Sequence, residues 1–253
     1  MQPILYLTAV VPPDDADVRA NLLLDRVMGA EIHIVDILPG ETENEADARA
    51  AQMGAQRCRE LNQSGHPCVD IPMGGASDLG SVGFARGYLE LCEQMRSMEL
   101  SFDAIFHATG TGGTMAGLAA GRKLLGGTQQ IVSVTVSPKD VPSYLHKVEG
   151  LANCVLERLG ARERVEASTD LNVETGYYLP GYEQPNAQSS EAIRMLARLE
   201  GLFVDPVYTG KALAGLVDYV RQGKIAPGSR VLFWHTGGAT ALFAEREMLG
   251  DVY

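Results

Sequence analysis

The stretch Asp103-Ala104-Ile105-Phe106-His107-Ala108-Thr109-Gly110-Thr111-Gly112-Gly113-Thr114-Met115-Ala116-Gly117 decides how the rest of the chain is read. Its apolar run over Asp103 to Ala108 predicts a buried strand, Met115 to Leu125 predicts a helix, and a glycine-threonine loop joins them. The first amides of such a helix lack intrahelical acceptors and sit at the positive end of its dipole, which suits an anionic phosphate. Gly110, Gly112 and Gly113 let a ligand approach the backbone, while Thr109, Thr111 and Thr114 add hydroxyls. No lysine follows as in a nucleoside-triphosphate loop, and Met115 stands where the dinucleotide fingerprint needs its third glycine. A plain glycine turn capping a helix is the competing reading.

Outward from this stretch, short apolar runs alternate with longer amphipathic ones, the pattern of a parallel sheet with crossover helices. On the N-terminal side, strands are predicted over Pro3 to Val10, Glu31 to Ile37 and Cys68 to Ile71, and helices over Ala16 to Met28 and Thr42 to Gln63. Thr42 with Glu45 has capping-box spacing. Pro72-Met73-Gly74-Gly75 interrupts the pattern and marks a boundary, giving lobes of residues 1–73 and 74–253. Beyond it come a helix over Val82 to Met98, the decisive stretch, a strand over Gln130 to Val136 and a mostly helical Pro138 to Leu159. Strands at Leu171 to Glu174 and Arg230 to His235, and helices at Ser189 to Leu199, Lys211 to Gln222 and Ala239 to Glu247, complete the reading. Three strands and two helices make a small first lobe, so it packs tightly on the second or lacks a piece.

The 253 residues carry 32 acidic and 21 basic side chains, a formal charge of −11. That balance argues against binding to a nucleic-acid backbone. No apolar run approaches a membrane span of about 20 residues. The apolar N-terminus has no basic lead-in or small-residue cleavage site, so it reads as a strand and not a signal peptide. Cys58, Cys68, Cys92 and Cys154 are widely spaced, with no CxxC, as expected of reduced thiols in the cytoplasm.

Two further clusters fall at the carboxyl ends of strands, where active-site groups of open α/β sheets gather. One is Glu200-Gly201-Leu202-Phe203-Val204-Asp205-Pro206-Val207-Tyr208-Thr209-Gly210-Lys211-Ala212; the other is Val231-Leu232-Phe233-Trp234-His235-Thr236-Gly237-Gly238. Read from residues alone, Tyr208 is equally a half-buried packing residue or an acid-base group. His107 and His235 lie within strand patterns and are expected to be core histidines. No HxH, HExxH or paired-carboxylate spacing supports a metal or glycosidase site.

Together these clusters resemble pyridoxal-phosphate enzymes of the D-cysteine desulfhydrase and 1-aminocyclopropane-1-carboxylate (ACC) deaminase type. The resemblance extends to Asn21-Leu22-Leu23-Leu24-Asp25, Gly29-Ala30-Glu31, Ile71-Pro72-Met73-Gly74-Gly75-Ala76 and Gly83-Phe84. It implies an α/β fold of the two-lobed, tryptophan synthase β-like kind (fold type II), with parallel sheets in three layers and an incomplete N-terminal lobe. It implies pyridoxal 5'-phosphate as cofactor, its phosphate cradled by Thr109 through Thr114. Tyr208 and Tyr182 match two tyrosines beside the substrate, and Thr209 and Thr236 match the positions facing the cofactor's ring nitrogen. Threonine at both places resembles the desulfhydrase branch, in which removal of an α-proton precedes loss of a β-leaving group.

The departures carry equal information. The family's Gly-Gly-Asn-Lys stretch, with the Schiff-base lysine, and its Ser-Asn-His stretch, which grips the substrate carboxylate, have no counterpart here. None of the five lysines, Lys123, Lys139, Lys147, Lys211 and Lys224, stands in that context. Ala76 replaces a usual serine, and Glu183 a usual glycine after Tyr182. The expectation is the larger subunit of a split lyase, completed by a small subunit that carries the lysine and the carboxylate loop, with further dimerisation. A non-catalytic homologue serving as a binding or regulatory subunit is the second reading.

Overall fold

The computed structural model describes residues 1–11, 14, 18–184 and 186–244. The chain divides into two compact units, Met1–Met73 and Gly74–Tyr253.

In the first unit, β1 (Ile4–Ala9) pairs in parallel with β2 (Glu31–Asp36), and α1 (Ala20–Val27) lies between them in sequence. The helix expected from Ala16 thus begins at Ala20 among the described residues; Ala16 and Asp17 lie outside them. The long helix α2 (Glu43–Gln63) starts with the anticipated capping box, Thr42 and Glu45 bonding each other's backbone amides. It turns Ala46, Ala50 and Cys58 inward and packs on β1, where Gly54 makes room for the Tyr6 ring. The strand expected over Cys68 to Ile71 does not form. Asn62 holds both the amide and the carbonyl of Cys68, each at 2.9 Å, which removes the groups a sheet ladder needs. Prolines at 67 and 72 flank the segment, and Val69 and Ile71 are exposed.

The second unit is built on a four-stranded parallel sheet. Its chain order is α3 (Asp78–Ser97), β3 (Ala104–Thr109), α4 (Gly113–Leu125), β4 (Gln130–Thr135), α5 (Val141–Arg158), α6 (Ala167–Asp170), β5 (Val173–Glu174), α7 (Ala187–Glu200), α8 (Thr209–Arg221) and β6 (Val231–Phe233). The strands lie in the order β5-β4-β3-β6. The closing helix expected over Ala239 to Glu247 is a short 3₁₀ turn over Ala239–Phe243; residues 245 to 247 lie outside the described set.

Side-chain alternation along β3 explains the three layers. Ala104, Phe106 and Ala108 join Val132, Val134, Ile193 and Leu213 in a core beneath α7 and α8. Ile105 points the other way, into a core with Tyr88 and Leu118 from α3 and α4. All six residues of β3 are buried, as a central parallel strand requires. Register sets Thr109 beside Thr135 and Phe106 beside Phe233, so the loops after β3, β4 and β6 leave the sheet at one edge. Among the described residues no helix is long and apolar enough to cross a membrane.

His107 is a core residue, as expected. Its Nδ1 faces the Ala108 carbonyl at 2.9 Å and therefore carries the proton, leaving Nε2 to accept from the Ser133 hydroxyl at 2.7 Å. Burial pushes its pKa down from 6.5 to about 4. Between those values the unfolded chain binds a proton that the folded chain refuses, so stability is full above pH 6.5 and falls as the pH drops toward 4. The loss attributable to His107 is about 3 kcal/mol. Urea titrations of the wild type and of His107→Gln at pH 7 and pH 4.5 test this, the variant showing the shallower dependence. A second expectation concerns α4, where a Cβ on Gly117 would lie 2.3 Å from the Ser81 carbonyl oxygen of α3. Gly117→Ala should destabilise by a net 1–3 kcal/mol, roughly, despite alanine's better helix propensity, as read from urea midpoints.

Candidate active site

The chain leaves β3 at Thr109 and enters α4 through Gly112, whose φ of +100 is left-handed. No side chain caps this helix, and its first bond runs from the Ala116 amide to the Gly112 carbonyl at 2.9 Å. The amides of Gly113, Thr114 and Met115 therefore have no acceptor within the helix. A Cβ at Gly112 would stand 2.8 Å from Val148 Cγ2, so both backbone angle and space call for glycine there. The turn at Gly74, also left-handed, lies so close that a Cβ on it would meet Thr111 Oγ1 at 2.6 Å. Thr111 and Thr114 are half-buried, one in the loop and one in the first helical turn. Thr109 is buried, and its hydroxyl bonds Tyr144 at 2.7 Å, tying the base of the loop to α5.

Tyr208 is the N-cap of α8, and its ring packs on the loop: a Cβ at Gly110 would lie 3.8 Å from Tyr208 Cε1. Tyr182 meets it from the side. The two hydroxyls hydrogen-bond, and the rings stand edge-on, with centroids 5.8 Å apart at 75°. Both keep an open face, at 38% and 40% exposure. Partial burial raises both phenols above their ordinary value, and the carboxylates of Glu183 and Asp205 push the same way. Near neutral pH the pair is thus two protonated hydroxyls, each able to donate or accept.

Asp205, almost fully buried, organises the start of α8. Its Oδ2 accepts from the amides of Val207 at 2.9 Å and Tyr208 at 2.7 Å, and its Oδ1 accepts from the Thr209 amide at 2.7 Å and the Thr209 hydroxyl at 2.5 Å. Thr209 Oγ1 in return accepts from the Asp205 amide at 2.9 Å. The Thr209 hydroxyl is therefore turned inward, within a fully buried residue. The turn at Thr236 reaches the same place. The Gly237 carbonyl is 3.4 Å from Thr209 Oγ1, and a Cβ on Gly238 would lie 2.7 Å from Asp205 Oδ1. Thr236 itself is exposed.

His235 departs from expectation. It lies past the end of β6, exposed, because the Trp234 amide makes its bond to the Phe106 carbonyl and the ladder stops there. Its Nε2 donates to the Phe203 carbonyl at 2.8 Å and its Nδ1 accepts from the Gly237 amide at 3.0 Å, so it braces the Gly237-Gly238 turn. Sequence reading also passed over Asp205 and Tyr144. The first had a signal, since Asp followed by Pro is a helix-start pair. Tyr144 had none, because its partner Thr109 lies 35 residues away.

The sequence pattern of pyridoxal-phosphate dependent enzymes matches residues 5–237. The chain belongs to that family. It is 38% identical over 227 residues to the D-cysteine desulfhydrase of Klebsiella pneumoniae (strain 342), covering 89% of this chain and 64% of that protein. The chain thus spans less than two thirds of the length of that relative. Among solved structures, an ACC deaminase homologue shares 32% identity and a TM-score of 0.79, over 97% of this chain and 69% of its own. Threonine deaminase isoform 2 from Solanum lycopersicum shares the fold, at 16% identity and a TM-score of 0.58, over 98% and 66% of the two chains. The fold is that of the fold-type II pyridoxal-phosphate enzymes.

The loop fits the family's cofactor. Its phosphate needs several amide donors, a positive helix end and room beside the backbone, and α4 offers Gly113 to Met115 at a cradle that a Cβ would fill. Gly112→Ala should weaken binding of pyridoxal 5'-phosphate at least tenfold while leaving the far-ultraviolet circular dichroism unchanged; equilibrium dialysis measures the first.

Proposed function

We propose that this chain is the larger subunit of a split pyridoxal-phosphate lyase that removes the β-substituent of a small amino acid, in the manner of D-cysteine desulfhydrase. A separate small polypeptide supplies the lysine that anchors the cofactor and the loop that grips the substrate carboxylate. The reading is carried by the Tyr182–Tyr208 pair, set against the glycine loop at Gly110.

When bound, the cofactor draws electron density from the substrate's α-carbon. The first turn of α4 holds the phosphate and fixes where the ring lies. Tyr208, held by Asp205 at the start of α8, keeps a proton at its phenol oxygen near neutral pH and donates it to the departing sulfur. Tyr182 hydrogen-bonds that oxygen and orients it, and water at the pair's open face restores the proton that Tyr208 gives up.

Two observations support the partner. In the first unit, apolar side chains at Leu23, Leu24, Val27, Ile34, Val69 and Ile71 are exposed around a sheet of only two strands among the described residues, an arrangement suited to receiving more strands. Most of the chain's lysines are also engaged elsewhere. Lys123 pairs with Asp170, Lys139 bonds Ser137, Lys224 lies over the Tyr219 ring, and Lys211 is buried against backbone carbonyls.

Purification of the native assembly, borohydride reduction and peptide mass spectrometry test the assignment. The pyridoxyl adduct is expected on a lysine of the small subunit, and the assembly should convert D-cysteine and water to pyruvate, sulfide and ammonia. Tyr208→Phe should lower kcat by about 100-fold or more. An adduct on any of the five lysines here, in the chain by itself, overturns the split arrangement.

A further inference from the structure

Lys211 lies in the first turn of α8 with 0% exposure, the only lysine among the fully buried large side chains. Its ammonium donates to the carbonyls of Gly181 at 2.8 Å and Tyr178 at 3.3 Å, and its acceptors among the described residues are these two. Burial lowers its pKa, and the Asp205 and Glu183 carboxylates pull it part of the way back. Burying an ammonium against two neutral carbonyls carries a desolvation cost that an apolar side chain of similar volume avoids. Packing alone therefore does not account for a lysine here.

What it grips does. The segment from Tyr177 to Gly181 leads directly into Tyr182. Asn186 holds two of its carbonyls, Leu179 at 2.5 Å and Tyr177 at 3.4 Å, while its Oδ1 caps α7. Lys211 holds two more, those of Tyr178 and Gly181. Tyr208, three residues before Lys211, is the N-cap of the same helix. We infer that Lys211 is a positioning residue of the tyrosine pair, tying the loop that ends in Tyr182 to the helix that begins at Tyr208 and so fixing the contact between their hydroxyls. This rests on the proposed role of that pair in the reaction.

The test uses the full chain labelled with ¹³C at tyrosine Cζ, with the two resonances assigned from Tyr182→Phe and Tyr208→Phe. In the wild type both phenols titrate above the ordinary value of about 10. In Lys211→Met the Tyr182 titration should fall toward that value while the urea midpoint holds or rises, and Lys211→Arg should restore part of the shift. In the assembled enzyme Lys211→Met should lower kcat at least tenfold with KM within about threefold. A folded Lys211→Met chain with the wild-type Tyr182 titration overturns the inference. So does a shift that appears only with a fallen urea midpoint and that arginine does not restore. If the methionine variant does not fold, Lys211→Gln is read in the same way: an unchanged Tyr182 titration overturns the clamp, and a lowered one supports it. The titration needs neither cofactor nor partner. An assembled enzyme left fully active by Tyr182→Phe would instead overturn the proposed role of the tyrosine pair in the reaction, with the loop clamp intact.

Discussion

Three backbone amides at the start of α4 have no acceptor inside the helix, and everything proposed for this chain is arranged around them. A parallel sheet sends the carboxyl ends of its strands to one edge, so β3 delivers the glycine loop where β4 and β6 also end. Unpaired amides are costly when buried, and protein helices satisfy them with a capping side chain, with water or with a ligand. Here Gly112 takes the cap position and brings no side chain. Val148, Tyr144 and the Gly74 turn crowd the loop closely enough to hold its shape without one. Close packing and a missing cap together suit the proposed anion site, since the donors are placed before a ligand arrives.

The tyrosine pair is held by charges of opposite sign, both buried on the segment that starts α8. Asp205 collects three amides and one hydroxyl and thereby sets Tyr208. Lys211 collects two carbonyls and thereby sets the approach to Tyr182. Neither charge meets the other in a salt bridge; each is solvated by backbone dipoles. That division suits a site that needs two loops brought together, because each charge can organise a different piece of chain. Gly238 presses on Asp205 from the third loop, so the turn at Thr236 is located by the same carboxylate.

Much of this was legible in the sequence where the determinants are local. The apolar run over Asp103 to Ala108 and the glycines after it sufficed for a buried strand and a helix start, and Thr42 with Glu45 for the cap of α2. Non-local determinants were not legible. Cys68 to Ile71 has strand composition, but Asn62 takes its backbone groups. His235 reads as strand, yet the ladder ends at Trp234. Burial of Lys211 depends on carbonyls about thirty residues upstream, which no periodicity reveals.

Glu183 shows how one residue can work against its backbone and for its site. Its φ of +56 lies in the left-handed region, which explains why glycine suits this position and why a side chain there costs about 1–2 kcal/mol. What the glutamate adds is charge. Its carboxylate raises the pKa of Tyr182 and Tyr208 and that of Lys211. All three effects favour the protonated form, so the phenols keep their protons and the buried ammonium keeps the charge with which it grips Gly181. A glycine would fit the turn more cheaply and leave both jobs to Asp205.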